Sequence, residues 1–590
     1  MSVPIDVPMT GHADLQAAFC ATVVDEWVRA GVTHAVVCPG SRSTPLAMAI
    51  ASETRLALHV RLDERSAGFT ALGIGMATGI PAIVVVTSGT AAVELHPAVV
   101  EADLARVPLV VCTADRPPEL RDVGAPQTID QTHLFGRSTR WFADPGVPDE
   151  ATRWSWRSFG CRSVIEAVSG SHGPGPVHLN LPFREPLLGS ASNGGVPDGR
   201  HDGGPWHRVD VPLSAPSPEA IDDLVASGNF VAGRRGLIVA GAGCGDPDAV
   251  LALAESLGWP VLADSRSRLR NGDRRVVGAA DGILRSARFA PSHRPEVVLR
   301  LGEQWASKVV QTFLADSVNV VVDRFGWTDP QRAASVVLRC DPTLFCRSLT
   351  AAHGVSDVAA VDWPVDWSVE WERAESRAQS AIATTFAQMT GPTEPALAQR
   401  VVAGVAGGSR VVVSSSMPVR DLEAYSMPGT DAPRVMANRG ANGIDGVMST
   451  ALGVALAAGP TTVLVGDLAF LHDVSALVGP ASERPPLTVV VADNGGGGIF
   501  SFLPQAVQIS THRFEQLFGT PQSTDPAAVA RGFGWDVVEI EGDGWMDALD
   551  VVLAPHQGGR VVVVRLPDRT ANVAAHDRVN AAVVEAVGSP

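Results

Sequence analysis

Two polar residues that follow apolar runs, Asp467 and Asn494, are spaced so that they could bind a metal ion together. Each comes just after a predicted strand, Thr462–Val465 for the first and Thr488–Val491 for the second. Because one strand–helix–strand unit contains both, the two strand ends would lie side by side. A carboxylate, an amide oxygen and a backbone carbonyl such as that of Gly496 suit a hard cation such as Mg²⁺, and the nearby glycines let backbone approach a phosphate closely. An ordinary surface turn with one Asp and one Asn is the alternative interpretation.

The elements that would position such a site are short β-branched runs followed by Gly/Ser turns and Ala-rich helical stretches. Continuous apolar strands that alternate with helices are typical of parallel sheets covered on both faces. The sequence therefore predicts an α/β fold of doubly wound parallel sheets, in which ligands bind beyond the carboxyl ends of the strands. The clearest runs are His34–Cys38, Ala82–Val86, Leu109–Cys112, Gly236–Ala240, Val411–Val413 and Arg560–Arg565.

Two irregular stretches divide this pattern. Leu188–Ser214 has the Gly, Ser, Asp and Pro content of a linker, and Val355–Glu370 is rich in Trp and Asp without clean periodicity. A chain of 590 residues is also too long for a single core. We therefore predict three parallel-sheet domains, at 1–187, 215–360 and 380–590, of which the first and third share a strand–turn–helix rhythm.

The charge balance argues against a nucleic-acid partner. The chain has 46 Lys and Arg residues against 63 Asp and Glu residues, a net charge of −17, so it has no broad basic face for a nucleic-acid backbone. Its 45% hydrophobic and 18% charged residues are ordinary for a globular protein. No apolar run reaches the roughly 18 residues of a membrane span. Only one of the cations is a lysine, Lys308.

The cysteines predict a cytoplasmic location. They are seven in number, scattered, and without a CxxC pair, which argues against a zinc site or a disulfide framework and favours reduced thiols. The segment Met1–Thr10 carries Asp6 and lacks the basic region that begins a signal peptide. The cysteines are Cys20, Cys38, Cys112, Cys161, Cys244, Cys340 and Cys346.

The segment from Gly466 to Asn494 is similar to the thiamine-diphosphate motif, which begins Gly-Asp-Gly and ends with Asn; here Leu468 replaces the second glycine. The chain as a whole resembles one family of thiamine-diphosphate-dependent enzymes, the 2-succinyl-5-enolpyruvyl-6-hydroxy-3-cyclohexene-1-carboxylate synthases of menaquinone biosynthesis. TSGTA is generic to thiamine-diphosphate enzymes, whereas CPGSRSTPL, SMPVRD and NRGANGID are discriminating. The matching segments are Cys38–Leu46, Leu62–Phe69, Thr87–Ala92, Thr113–Leu120, Gly175–Leu187, Ser414–Asp421, Asn438–Asp445 and the metal segment.

The resemblance implies that the chain binds thiamine diphosphate through Mg²⁺, or Mn²⁺ in its place, with Asp467, Asn494 and Gly496 as metal ligands. It implies that Glu64, in LDERSAGF, is the activating carboxylate, which shares a proton with the aminopyrimidine ring so that the cofactor can lose its C2 proton. A solvated Glu in a charged cluster is the alternative. Ile444 would be an apolar wedge under the cofactor, for which ordinary core packing is the alternative. The other implied cofactor contacts are Ser88, Gly89, Thr90, Leu468, Ile499 and Phe500.

The implied reaction is that of a transferase. 2-Oxoglutarate would lose CO₂, and the resulting succinyl carbanion equivalent would add in a 1,4 sense to isochorismate. Both substrates are dicarboxylates, so the pocket must hold several anions, a task to which Arg is suited by its planar bidentate fork and permanent charge. The implied substrate-binding residues are Ser41, Arg42, Arg116, Gln127, Lys308, Ser416, Arg420 and Arg439.

Each of these cations has a plain alternative. A surface salt bridge is the ordinary role of an Arg and contributes little to stability, Arg116 could belong to a structured turn, and Lys308 could be an incidental survivor of Arg-biased coding. Arg42 lies at a predicted strand-to-helix turn, where helix N-terminal amides also favour carboxylates. Ser416 and Arg420 are four positions apart and could face one site at the start of a helix.

Other functions remain open on the sequence alone. Another thiamine-diphosphate 2-oxo acid decarboxylase or an acetohydroxyacid-synthase-like carboligase would act on small donors and would not need this arginine cluster. A binding protein that kept the fold without the activity is the second alternative. The family builds its cofactor site between the N-terminal domain of one subunit and the C-terminal domain of another, so the resemblance implies a homodimer or a dimer of dimers.

Two further features receive structural interpretations. His472 and Asp473 follow the metal segment, and we expect both to support the site from behind rather than to react. The glycine-rich turn Ala240–Gly245 follows a strand as in dinucleotide-binding proteins, but no acidic residue ends a second strand about 20 residues later. We therefore expect no nucleotide in the middle domain.

Overall fold

The computed structural model describes residues 10–231, 233–355 and 366–588. By compactness the chain divides into two units. Unit 1 contains the described residues up to Val211, together with Asn438–Thr461 and His472–Leu487. Unit 2 contains the remaining described residues, which begin at Pro212. Most of the irregular stretch Val355–Glu370, which the sequence analysis places at a domain boundary, lies outside the described residues.

Unit 1 is built on a six-stranded parallel sheet. Its strands are β1 His34–Val37, β2 Ala57–Val60, β3 Ala82–Val86, β4 Leu109–Asp115, β5 Trp141–Ala143 and β6 Pro176–Pro182. They lie in the order β2-β1-β3-β4-β6-β5, with β2 and β5 at the edges. Because β3 and β4 are buried along their whole length, they form the middle of the core. The helices are α1 Thr10–Arg29, α2 Thr44–Ser52, α3 Glu64–Thr78, α4 Thr90–Glu94, α5 His96–Leu104, α6 Trp156–Ser169 and α7 Ala191–Gly194.

The first sheet of unit 2 has the strand order of dinucleotide-binding folds. Its strands are β7 Gly236–Ala240, β8 Val261–Ala263, β9 Val276–Val277, β10 Val297–Leu301, β11 Val318–Val322 and β12 Ala334–Leu338. They lie in the order β12-β11-β10-β7-β8-β9. The chain's own backbone packs into the glycine turn after β7, because a Cβ on Gly241 would lie 1.9 Å from the Glu303 carbonyl oxygen. The helices are α8 Pro218–Ala226, α9 Pro247–Leu257, α10 Ala280–Leu284, α11 Phe289–Ser292, α12 Lys308–Phe313, α13 Pro342–Val355 and α14 Asp366–Ala387.

The second sheet of unit 2 repeats the topology of the sheet in unit 1. Its strands are β13 Arg410–Val413, β14 Arg434–Met436, β15 Thr461–Gly466, β16 Leu487–Asp493, β17 Asp536–Ile540 and β18 Gly559–Arg565. Their order, β14-β13-β15-β16-β18-β17, matches that of the first six strands position by position. The helices of this part of the chain are α15 Glu394–Gly404, α16 Met417–Tyr425, α17 Val447–Ala458, α18 Asp467–His472, α19 Gln505–Gln508, α20 Thr511–Phe514, α21 Pro526–Gly532, α22 Trp545–Leu553 and α23 Arg569–Gly588. Three parallel sheets therefore bear out the predicted α/β class.

Helix α17 belongs to unit 1 because it packs directly on α3. The contact is made through glycines. A Cβ on Gly73 would lie 2.0 Å from the Thr450 carbonyl oxygen, and a Cβ on Gly453 would lie 2.0 Å from the Thr70 carbonyl oxygen. The two backbones approach so closely that no side chain fits between them, which explains the small-residue composition of both helices.

The linker-like stretch after β6 is packed along unit 1. Ser190 donates its backbone N–H to the Asp14 carboxylate at 2.7 Å, and Arg157 donates to the Pro197 carbonyl oxygen at 2.7 Å. A Cβ on Gly189 would lie 2.2 Å from the Ala13 carbonyl. Separately, none of the helices in the three described ranges combines the length and apolar content that a membrane crossing requires.

Candidate active site

Asp467 begins α18 at the carboxyl end of β15 and is almost fully buried. Its carboxylate accepts hydrogen bonds from the backbone N–H of Leu468 at 2.8 Å and from the backbone N–H of Gly496. The second bond ties the end of β15 to the loop after β16, its neighbour in the sheet. Burial, assisted by the charge of Asp493, raises the pKa of Asp467 to about 6. A cation at this carboxylate would offset the cost of burying its charge.

Asn494 lies at the same edge of the sheet, just after β16. Its side-chain Nδ2 donates a hydrogen bond to Oε1 of Glu394, the first residue of α15. Its Oδ1 is buried and has no hydrogen-bond partner among the described residues. A buried amide oxygen without a partner is costly unless a ligand satisfies it.

This donor set fits a magnesium ion better than a softer metal. The residues available are one carboxylate, one free amide oxygen and the backbone carbonyl of Gly496, all of them hard oxygen donors. Within the part of the chain that the structure describes, no group of three or more His, Cys, Asp and Glu side chains could hold a metal. A cation here would therefore need further oxygen ligands from a phosphate group or from water.

The loop after Asn494 is held in place by Arg569 of α23. The Arg569 guanidinium donates to the Gly495 carbonyl oxygen and pairs with Glu515 in a π-helical turn, Glu515–Gly519. Both anchors restrain the 3₁₀ helix Gly498–Phe502, which carries Ile499 and Phe500. Those two side chains are half-buried, and the Phe500 ring packs 5.5 Å from that of Phe518. Leu468, at the start of α18, is also half-buried.

Ser416 and Arg420 meet at the start of α16. Ser416 is the N-cap residue and has φ +76°, a backbone conformation that L-residues rarely adopt. The Arg420 guanidinium, one turn later, donates to the Ser416 carbonyl oxygen. Both side chains are half-buried, so they lie on one helix start as their spacing predicts.

Behind Arg420, helix α16 contributes two buried carboxylates. Asp421 pairs with Nε2 of His576 at 2.8 Å. Burial alone would lower the pKa of His576, but the Asp421 carboxylate raises it to about 9. Glu423 accepts the backbone N–H groups of Ala306 at 2.8 Å and Ser307 at 2.7 Å.

Lys308 is the first residue of α12 and is exposed. The two residues before it are those that Glu423 holds, so a buried carboxylate of α16 anchors the turn that carries Lys308. Lys308 on α12 and Arg420 on α16 therefore lie on two helices that the Glu423 hydrogen bonds connect. Burial raises the pKa of Glu423 to about 7, and Asp264 adds to the increase.

In unit 1, Glu64 is the first residue of α3 and is half-buried. Asp63 caps the helix, since its carboxylate accepts the Ser66 backbone N–H at 3.1 Å. Cys38 directly follows β1. Burial raises the pKa of its thiol, and the charges of Glu64 and Asp63 add to the increase, so Glu64 lies near this end of the strand. The capped helix end therefore presents Glu64 at the carboxyl edge of the sheet, where ligands bind in such folds.

The same edge gathers a polar cluster around Ser88. Ser88 is fully buried, donates its hydroxyl to the Gln127 carbonyl oxygen at 3.0 Å, and accepts a hydrogen bond from the Arg116 guanidinium. The Gln127 amide in turn donates to the Ser88 carbonyl oxygen at 2.9 Å. Gly89 is buried, has φ +85° and is the N-cap residue of α4, whose first residue, Thr90, is exposed. The structure thus brings four of the predicted residues together, with Arg116 just after β4 and hydrogen-bonded to Ser88 and to the Pro126 carbonyl oxygen.

Arg42 is only 6% exposed, unlike an arginine in a surface salt bridge. It donates to the Phe183 carbonyl oxygen at 2.9 Å and pairs with the exposed Glu185 at 3.1 Å. Burial, and then the like charge of Arg116, lowers the pKa of Arg42. Two guanidiniums close enough to repel each other would attract a carboxylate strongly. Ser41, just before Arg42, is exposed.

Arg439 and Ile444 lie in the loop that leads into α17. Arg439 is half-buried, whereas Ile444 is 42% exposed. The buried Glu101 of α5 holds this loop, because its two carboxylate oxygens accept the backbone N–H groups of Gly440 at 2.7 Å and Ala441 at 2.6 Å. The position of Arg439 is therefore set by a residue more than 300 positions earlier in the chain.

Asp473 supports α17 and α3 together. It is fully buried and accepts from the backbone N–H of Ser449 at 2.7 Å and from its hydroxyl at 3.0 Å. The Ser449 hydroxyl also lies 2.8 Å from that of Ser66 in α3. Burial raises the pKa of Asp473 to about 7. His472 accepts a hydrogen bond at its carbonyl oxygen from Arg65, at 2.8 Å.

Sequence reasoning missed four of these residues. Nothing near them in the sequence marks a function, since each acts through a contact with a distant segment. Glutamates that begin or occupy a helix, and an arginine in a first helical turn, are ordinary surface residues unless their burial is known. The four are Glu101, Glu394, Glu423 and Arg569.

Comparisons with known proteins place this geometry in context. Three family models match the chain: the N-terminal TPP-binding domain of thiamine pyrophosphate enzymes over residues 20–134, the middle domain of thiamine pyrophosphate enzymes over 205–406, and the C-terminal TPP-binding domain over 422–564.

Full-length relatives extend these matches. A 2-succinyl-5-enolpyruvyl-6-hydroxy-3-cyclohexene-1-carboxylate synthase of Myxococcus xanthus is 42% identical over 98% of this chain and 99% of its own length. Proteins of the same name are 42% identical in Chloroflexus aurantiacus, over 88% of this chain and 89% of the relative, and 39% identical in Thermobifida fusca, over 97% and 99%.

Proposed function

The chain belongs to the family of 2-succinyl-5-enolpyruvyl-6-hydroxy-3-cyclohexene-1-carboxylate synthases, and from that membership we propose that it decarboxylates 2-oxoglutarate and adds the remaining four-carbon unit to isochorismate. The observation that carries this proposal is identity of 42% across nearly the whole length of both chains. The products would be 2-succinyl-5-enolpyruvyl-6-hydroxy-3-cyclohexene-1-carboxylate and CO₂, and the enzyme is a thiamine-diphosphate-dependent transferase.

Thiamine diphosphate, when bound, supplies the nucleophilic carbon and the electron sink for the decarboxylation. Glu64 would hold a proton at the pyrimidine ring, a role that its place at a capped helix start supports. Ile444 would contact the cofactor, since ordinary core packing would have buried its side chain instead of leaving it 42% exposed. Ser88, Gly89 and Thr90 would line the same cofactor from the loop after β3.

The metal would be Mg²⁺, with Mn²⁺ as a substitute, held by the carboxylate of Asp467, Oδ1 of Asn494 and the carbonyl oxygen of Gly496. The unpartnered Asn494 Oδ1 supports this assignment. Leu468, Ile499 and Phe500 would enclose the cofactor at the metal end, on the loop that Arg569 restrains.

The substrate carboxylates would be bound by arginines and hydroxyl or amide donors. The charge of Arg116 contributes to the lowered pKa of Arg42 in unit 1, and two like charges that act on each other favour an anion nearby. In unit 2, Lys308 and Arg420 sit on two elements joined by Glu423. The remaining members of the proposed substrate-binding set are Ser41, Gln127, Ser416 and Arg439.

We further propose a homodimer or dimer of dimers in the cytoplasm, with domains at 1–187, 215–360 and 380–590. The edge strand β2 leads to Glu64 and carries exposed apolar side chains at Leu58 and Val60; Leu62, just after the strand, is 68% exposed. An exposed apolar edge of this kind is suited to burial against a second copy. The seven cysteines are buried free thiols, and scattered reduced thiols support the proposal of a reducing compartment.

The test is a substrate comparison with the purified protein, thiamine diphosphate and Mg²⁺. We expect rapid 2-oxoglutarate consumption and CO₂ release only when isochorismate is present, with a product that contains both carbon skeletons. Pyruvate in place of 2-oxoglutarate should give little turnover, because it lacks the second carboxylate that the arginines would bind. Equal turnover of pyruvate would instead indicate another thiamine-diphosphate carboligase.

A further inference from the structure

The side-chain amide of Asn494 has two chemically different ends, and only one of them can bind a cation. Oδ1 is an acceptor, whereas Nδ2 carries two donor hydrogens that a cation would repel. The two ends have nearly the same shape, so rotation by half a turn would exchange them without a steric penalty. Something in the protein must therefore select the orientation that points Oδ1 toward the metal.

We propose that Glu394 is the positioning residue that makes this selection, an inference that rests on the metal site proposed above. Its Oε1 accepts the hydrogen bond from Asn494 Nδ2. A carboxylate oxygen can be met only by the donor end of the amide. The opposite end, Oδ1, is then left buried and without a partner in the described parts of the chain.

The surroundings of this pair leave little room for another arrangement. Glu394 is 6% exposed and begins α15. Gly498 lies directly against the pair: a Cβ at that position would come 2.5 Å from Asn494 Nδ2 and 3.3 Å from Glu394 Oε1. The glycine therefore makes the space in which the hydrogen bond forms. The buried ion pair of Asp421 and His576 supplies the nearby charges.

This arrangement predicts a specific energetic consequence. When a residue that hydrogen-bonds a metal ligand and so orients it is removed, metal affinity typically falls about 10–100-fold. Glu394→Ala removes the acceptor and lets the amide rotate, so Mn²⁺ should bind about 10–100-fold more weakly. Glu394→Gln keeps one acceptor but adds a donor that can hold the wrong amide orientation, so it should weaken Mn²⁺ binding in the same direction by less.

The measurement is Mn²⁺ binding in the presence of thiamine diphosphate and without substrates, followed by electron paramagnetic resonance. It reports metal occupancy independently of turnover. Glu375→Gln is the matched control, because Glu375 is also a buried glutamate of unit 2 that accepts hydrogen bonds, from the Ala279 backbone N–H at 2.9 Å and from Gln379 at 2.7 Å. This control should leave Mn²⁺ affinity unchanged even if it lowers the melting temperature.

A double-mutant cycle separates positioning from general structure. If Glu394 acts through Asn494, adding Glu394→Ala to Asn494→Ala should cause no further loss of Mn²⁺ affinity. Asn494→Asp gives a second background in which both oxygens are equivalent and no orientation is needed. There Glu394→Gln should change Mn²⁺ affinity less than it does in the unaltered protein, because no amide orientation remains to be selected.

The outcomes distinguish this inference from the proposed function. Absence of cofactor-dependent Mn²⁺ binding in the unaltered protein would overturn the metal site itself. Normal binding there, with unchanged affinity in Glu394→Ala, would overturn only the role of Glu394. Fully additive losses in the cycle would do the same. If Glu394→Ala fails to fold, unchanged affinity in Glu394→Gln decides against the inference.

Discussion

At the scale of single residues, the candidate site depends on where each carboxylate is placed. Glu64 is half-buried at a helix start, whereas Glu394 and Glu101 are buried and accept hydrogen bonds, the first from the Asn494 amide and the second from two backbone N–H groups. The same residue type thus serves in one place as a group free to meet a ligand and in two others as a fixed acceptor. We propose a chemical role for the first kind and a positioning role for the second.

Glu64→Gln should lower turnover by about 10²–10⁴-fold, the usual contribution of a group that holds a proton for the reacting species. The affinity for thiamine diphosphate should stay largely intact, because the amide keeps the size of the carboxyl and the metal site is untouched. Turnover can be followed as CO₂ release and affinity as quenching of tryptophan fluorescence. Glu166→Gln on α6, another half-buried glutamate of unit 1, is the control; turnover that survives in Glu64→Gln would remove Glu64 from its role.

Sequence patterns single out some of these residues and give no sign of others. Asp467 and Asn494 follow apolar strands at a spacing that a strand–helix–strand unit explains, and the structure shows Asp467 bonded to the backbone of Gly496. Glu394 lies 100 positions from Asn494, and local propensity contains no information about such a contact. A positioning residue can be recognised only when its burial and its partner are known.

At the scale of elements, buried strands are the easiest to predict. Continuous apolar runs predict strands at Ala82–Val86 and Gly236–Ala240. These are strands β3 and β7, and both are buried at every position. The edge strand β2 is largely exposed and the edge strand β12 has no fully buried residue, so neither needs such a run and both leave a weaker pattern. The pairing of α3 with α17 is harder to predict from the sequence than any strand. It depends on glycines in two helices that are far apart in the chain.

The pairing of those two helices should be sensitive to pH through Asp473. Its pKa is raised by burial from an ordinary 3.8 to about 7, so the folded state holds a proton between about pH 4 and pH 7 that the unfolded chain has released. Stability from this group is therefore full below pH 4 and is lost as the pH rises through 7, by roughly 2–4 kcal/mol. The charged groups that face it are Arg65 and Asp63 from α3 and its start.

Asp473→Asn should remove this dependence. The amide oxygen can accept the Ser449 backbone N–H and the amide nitrogen can donate to the Ser449 hydroxyl, so both hydrogen bonds survive. We expect the melting temperature of the variant, relative to the unaltered protein, to increase from pH 5 to about pH 7 and to level off above it in scanning fluorimetry. Asp543→Asn in an exposed turn is the control, and a difference that does not vary with pH would contradict the assignment.

At the scale of the whole molecule, a net charge of −17 coexists with local positive sites. Arg42 and Arg116 on one unit, and Arg420 and Lys308 on the other, gather cations on a chain whose acidic residues outnumber its basic ones. Such contrast would concentrate dicarboxylate substrates where the cations are, and the acidic balance is the basis for expecting no nucleic-acid partner. The overall composition therefore predicts what the protein excludes, and only the placement of individual arginines predicts what it binds.

The exposed edge of unit 1 makes the assembly testable. Leu58 and Val60 project from the same face of β2, and Leu62 follows just before Asp63 and Glu64. Val60→Asp would place a charge in the proposed interface, which costs about 2–4 kcal/mol when the charge is buried without a partner. In analytical ultracentrifugation the unaltered protein should have a mass two or four times the 61.6 kDa of one chain. The Val60→Asp variant should shift toward the mass of a single chain and lose activity on dilution. Val551→Asp, at a 74% exposed position of α22, should change neither; a variant at Val60 that stays assembled would place the interface elsewhere.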